Sequence, residues 1–179
     1  GGTFEADITL ADGADLITAT AGTDNVRLGE GAGDSIASGG NNNVVIGKDA
    51  GTALTTGDDN VAVGYLALKT GTGIGQNVAV GSECLEANTG GNNTGVGYKA
   101  MHANTTGANN TALGSFALAS NDTGSANTAV GNDCMDSVTT GGSNTAVGTD
   151  ALQANSTSSN NTAVGESALT STTGANNTA

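Results

Sequence analysis

Apolar residues along most of this chain fall in short clusters, each ending at a glycine. Gly29, Gly47, Gly64, Gly81, Gly97, Gly114, Gly131, Gly148 and Gly165 are spaced 18, 17, 17, 16, 17, 17, 17 and 17 residues apart. Before each stands Leu28, Ile46, Val63, Val80, Val96, Leu113, Val130, Val147 or Val164, and two places earlier a Val or Thr. Such alternation of β-branched residues over a short span marks a strand. The residue between them is alanine in six of the nine units: Ala62, Ala79, Ala112, Ala129, Ala146 and Ala163. It points to the opposite face. Both faces are therefore apolar or small, unlike a sheet with one solvated side. Our reading puts the valines and threonines inside the coil and packs the alanines closely against another surface.

Three and four residues past the glycine comes a second apolar pair, as in Ala67-Leu68, Cys84-Leu85, Ala100-Met101, Ala117-Leu118, Cys134-Met135, Ala151-Leu152 and Ala168-Leu169. The surrounding segments, SECLEAN, YKAMHAN and TDALQAN, are rich in helix formers. Ser82, Ser115, Asn132 and Thr149 stand where an N-cap would, and Asn88, Asn104 and Asn155 where a short helix would end. One helical turn per coil is expected here, with a second strand as the alternative.

Units of fixed length stack most economically with each strand beside its copy in the next unit, at about 4.8 Å per coil. The predicted fold is mainly β, a parallel β-solenoid (β-roll) of about 17-residue coils. Four residues before each ladder glycine is an asparagine: Asn25, Asn43, Asn60, Asn77, Asn93, Asn110, Asn127, Asn144 and Asn161. Amides stacked at one corner bond to those above and below, as in cross-β asparagine ladders. The site residues that the sequence predicts are these nine asparagines and the nine glycines, as a structural ladder. Asn177 opens a tenth unit, so the repeat is expected to continue beyond residue 179.

Residues 1 to 24 stand apart from the repeat of residues 25 to 179. Phe4, Ala6, Ile8 and Leu10 alternate with Glu5, Asp7 and Thr9 in TFEADITL, ADGAD supplies a turn, and LITATAG reads as a second strand. We expect a lead-in cap.

Composition narrows the functions. The chain has no proline or tryptophan, two phenylalanines, two tyrosines and 30 glycines, too few large side chains for an ordinary globular core. Its net charge of −13, with no Lys or Arg after Lys99, argues against nucleic acid as a partner. No apolar run is long enough to insert in a membrane, and the start lacks a signal-peptide pattern. A strand small on both faces calls for neighbours around the axis as well as along it. A parallel homotrimer in which alanine faces meet is therefore expected.

Units such as NNTAVGESAL, NNTALGSFAL and NTAVGTDAL resemble the head repeats of trimeric autotransporter adhesins and, still more, the related repeats of bacteriophage tail fibres. The resemblance spans residues 25 to 179. DGADLITATAGTDNVRLG is similar to segments that precede such repeats in phage fibres. The family implies a trimeric left-handed parallel β-roll or related solenoid, used as a stiff stalk or a receptor-binding surface. The expected setting is a virion or cell surface, with a host receptor or glycan as a partner beside the chain itself.

No catalytic, cofactor or metal site is expected. Cys84 and Cys134 fill the alanine slot as small packed side chains, three units apart and too distant for an intrachain disulfide. His102, the sole histidine, has no evident partner for base catalysis or zinc binding. Asp133, Asp150 and Glu166 form no recurrent acid pair. Asn-x-Thr sequons at Asn92, Asn104, Asn109, Asn121, Asn155 and Asn160 read as by-products of the repeat. The function expected is a structural fibre or stalk with an adhesive surface. A self-assembling extracellular matrix filament is the alternative. Ice or crystal-surface binding is disfavoured by threonines read as facing inward.

Overall fold

The computed structural model describes residues 22–36 and 39–179. The strand readings in TFEADITL and LITATAG fall mostly or wholly within residues 1–21, outside the described residues. Residues 22–24 form a bend leading into the first coil.

Nine three-residue strands follow: β1 Val26–Leu28, β2 Val44–Ile46, β3 Val61–Val63, β4 Val78–Val80, β5 Thr94–Val96, β6 Thr111–Leu113, β7 Thr128–Val130, β8 Thr145–Val147 and β9 Thr162–Val164. They form one parallel sheet in sequence order. Register is set by the repeat: Ala62 pairs with Ala79, Ala112 with Ala129, and Ala129 with Ala146. The shorter spacing between Gly81 and Gly97 leaves it intact, with Val78 beside Thr94 and Val80 beside Val96. The fold is a parallel β-solenoid.

The strand faces run opposite to the sequence reading. Ala62, Ala79, Ala112, Ala129, Ala146 and Ala163 are fully buried inside the coil, as is Val45. The flanking Val, Thr and Leu positions point outward and are half-buried or exposed. Space decides this. The same interior must also hold the large side chain of each coil's second apolar cluster, such as Leu68, Leu85, Met101, Leu118, Met135 or Leu152, all fully buried. Opposite such a side chain a methyl group fits, whereas a second large residue would overpack the core.

There is no helix among the described residues; the Ala-Leu segments are successive turns. Leu68, Leu85, Met101, Leu118, Met135 and Leu152 have φ of 51–55°. Their amides bond to the next coil rather than back along the same one: Leu85 N–H donates to Ala100 O at 3.0 Å and Leu118 N–H to Cys134 O at 2.9 Å. A left-handed residue costs about 1–2 kcal/mol, and burying a Leu or Met side chain returns about 1.5–3 kcal/mol, so packing wins over backbone preference.

The large core side chain has two sources. In the first two coils glycine replaces leucine at the left-handed position, and the core is filled from three residues further on by Ile36 and Leu54. A Cβ on Gly51 would lie 2.9 Å from Leu54 Cδ1, and one on Gly33 2.8 Å from Ile36 Cδ1. At the interior-facing position of β1, Arg27 donates through Nε to Ala32 O at 2.7 Å and pairs with Asp34 at 2.8 Å. A polar side chain thus occupies the interior strand position of the first described coil.

Candidate interaction face and buried amide ladders

The outward strand positions form two columns. One runs Val26, Val44, Val61, Val78, Thr94, Thr111, Thr128, Thr145 and Thr162; the other runs Leu28, Ile46, Val63, Val80, Val96, Leu113, Val130, Val147 and Val164. None of these positions is charged. At about 4.8 Å per strand step the strip is about 38 Å long. Val26, Leu28, Val96, Leu113 and Val147 are each about two-fifths exposed. Tyr65, Tyr98 and Phe116, just past the strands, are also exposed, and Tyr98 and Phe116 meet edge to face at 5.2 Å. A chain of net charge −13 keeps this strip free of ionised groups, as contact surfaces do.

Beside the strip runs the asparagine column read from the sequence. Asn25, Asn43, Asn60, Asn77, Asn93, Asn110, Asn127, Asn144 and Asn161 are all buried. Each Oδ1 accepts from the backbone N–H of the next asparagine, as in Asn60 to Asn43 at 2.9 Å, Asn110 to Asn93 at 2.9 Å and Asn144 to Asn127 at 3.0 Å. Asn177 continues the column, donating to Asn161 Oδ1 at 2.9 Å. Seven of the nine side-chain amides also reach the corner that closes their own coil, as Asn43 Nδ2 donates to Gly57 O at 2.9 Å and Asn127 Nδ2 to Gly141 O at 2.8 Å, while Asn77 and Asn161 donate to the carbonyl two residues before them. The amide thus ties coil to coil and closes the ring.

A second amide column escaped the sequence reading. Asn88, Asn104 and Asn121 are fully buried and in line; Asn104 Nδ2 donates to Asn88 Oδ1, and Asn121 Nδ2 to Asn104 Oδ1, each at 2.5 Å. Seventeen residues past Asn121 the column meets Val138, which has no donor, and Asn121 Oδ1 is left buried without a hydrogen-bond partner. Asn155 resumes the column one coil later. The signal was an asparagine recurring seven residues past the glycine. We read Asn88, Asn104 and Asn155 instead as helix ends. Burial of Asn104, Asn121 and Asn155 also closes those sequons to modification in the folded chain.

The ladder glycines are required by close approach. Gly64, Gly81, Gly97, Gly114, Gly131 and Gly148 have φ of 138–144°, and a Cβ on Gly114 would lie 2.2 Å from Gly131 O. Cys84 and Cys134 are buried and unbridged, as their alanine slot implies, and burial pushes their thiols up to about 12 and about 11.

His102 does have partners. Its Nδ1 lies 3.4 Å from Glu86 Oε2, and Glu83, Glu86 and His102 bring three ligand atoms within 4.8 Å of one another. Lys99 pairs with Glu83 at 3.2 Å and Lys69 with Glu86 at 3.3 Å. Stacking creates this group, because Glu86 and His102 hold the same place in successive coils.

No family model, curated protein or solved structure matches the chain. Among the described residues no helix is long and apolar enough to cross a membrane.

Proposed function

We propose that the chain is a structural segment of a fibre on a virion or cell surface, built from parallel copies that meet through the outward Val/Thr strip. The observation that carries this reading is the uncharged double column on an otherwise acidic solenoid. Its two halves differ in chemistry: one column is valine in β1–β4 and threonine in β5–β9. Parallel, in-register copies set like against like and let threonine hydroxyls pair; an antiparallel pair opposes valines to threonines. Three copies, closing valine to valine rather than alanine to alanine, leave the remaining faces free to carry a host-receptor or glycan contact.

Sedimentation equilibrium tests this. The expected mass is three times the 17.0 kDa chain, falling to one chain in Val130→Lys/Val147→Lys with circular dichroism preserved. A folded wild-type monomer would sink the proposal. The outward threonine column also removes the objection to ice or crystal-surface binding. Thermal hysteresis above a buffer control would favour that reading, and end-to-end growth of purified protein would favour a matrix filament.

A further inference from the structure

We propose that Glu83, Glu86 and His102 form a binding site for a divalent transition metal of the zinc class. Two carboxylates and one imidazole suit zinc, which takes Glu oxygen and His nitrogen at about 2.0–2.2 Å, with water completing a four-coordinate shell. Two ligands at that bond length on a tetrahedral ion lie about 3.3–3.4 Å apart. His102 Nδ1 and Glu86 Oε2 are 3.4 Å apart, long for a hydrogen bond and correct for sharing an ion.

The backbone positions all three ligands. Glu86 and His102 are stacked by the solenoid repeat, and Glu83 is turned toward them from a left-handed residue with φ of 56°. All three are half-buried, so their rotamers are restrained. The lysines do not fill the site. Lys69 engages Glu86 through Oε1, leaving Oε2 toward His102, and Lys99 engages Glu83 through Oε2, leaving Oε1. Each ligating carboxylate thus has a hydrogen-bonding partner on its outer oxygen, as outer-shell groups orient metal ligands. The 3.4 Å contact of His102 Nδ1 to Glu83 O is given up when the nitrogen coordinates.

Calorimetric titration of the full chain with Zn(II), and titration with Co(II) followed by visible absorption, test the site. The expected result is one saturable ion per chain, with the intense bands of four-coordinate cobalt. His102→Ala and Glu86→Gln should each weaken binding at least tenfold, while Asp150→Asn should leave it unchanged. Circular dichroism of metal-free variants shows that the fold is kept. Should a substitution unfold the chain, diethylpyrocarbonate labelling of wild-type His102, slowed by Zn(II), gives the same test. Absence of saturable binding, or binding that survives His102→Ala, overturns the proposal.

Discussion

Asn127→Ala tests whether the amide column holds the coils together. Asn127 Oδ1 accepts from Asn144 N–H at 3.0 Å and from Asn144 Nδ2 at 3.1 Å, and its Nδ2 donates to Gly141 O at 2.8 Å. Alanine removes all three contacts. Asn144 Nδ2 retains Ser158 O at 3.0 Å, so the groups left buried and unsatisfied are the Asn144 N–H and the Gly141 carbonyl. Each costs about 1–3 kcal/mol, and water entering the small void relieves part of it, so the expected loss is about 2–5 kcal/mol. Asn132→Ala is the control: same residue type, same coil, exposed, with an expected change within about 0.5 kcal/mol. Urea unfolding read by circular dichroism gives the difference, provided the m-values agree. Hydrogen exchange at Asn144 locates it, since stability in a stacked repeat is a sum of local and interface contributions. A loss below about 1 kcal/mol, or one equal to that of Asn132→Ala, would refute the reasoning.

Gly114→Ala should cost far more than Gly165→Ala in the same unfolding assay. Both have positive φ, but a Cβ meets the next coil at position 114 and nothing within 4 Å at position 165; equal losses would show that backbone conformation alone matters. Val138→Asn supplies the missing donor to Asn121 Oδ1 and should slow exchange of amides in that coil, the gained bonds offsetting about 1.5–3 kcal/mol of lost apolar burial; faster exchange would count against the column. Folded Cys84 and Cys134 should resist alkylation at pH 8 and react on denaturation. For each thiol the folded pKa is raised above its ordinary 9.0, so the unfolded chain holds fewer protons between about 9 and about 11–12. Stability should therefore fall as pH rises through that window.

The period, the strand at each N-T-A-V-G and the asparagine column were legible because each is written once per coil in the same residues. Which strand face points inward was not. Thr-Ala-Val is small or apolar on both sides, and the choice is made by Leu118 or Met135 arriving from another part of the coil. The helix reading of YKAMHAN failed for a related reason: the amides of Ala100, His102 and Asn104 close local turns, but those of Lys99, Met101 and Ala103 pair across coils, and local propensity has no access to that geometry. The histidine cluster was hidden because Glu86 and His102, sixteen residues apart in sequence, become neighbours only once the spacing is converted to a stack. The Ile36 and Leu54 substitutions were equally invisible, since the sequence shows a leucine missing beside a glycine and not the space another side chain fills.

The amide column has a direction: each asparagine N–H finds its acceptor on the coil before it, never on the coil after. A finished coil is thus a template for its successor. Assembly can proceed vectorially, coil upon coil, in the order in which a ribosome releases the chain. Removing coils from the C-terminal end should free the amides that donate forward, such as Leu118 N–H to Cys134 O, and leave the N–H groups of the asparagine column protected from exchange, whereas removing them from the N-terminal end should strip the next asparagine N–H of its acceptor.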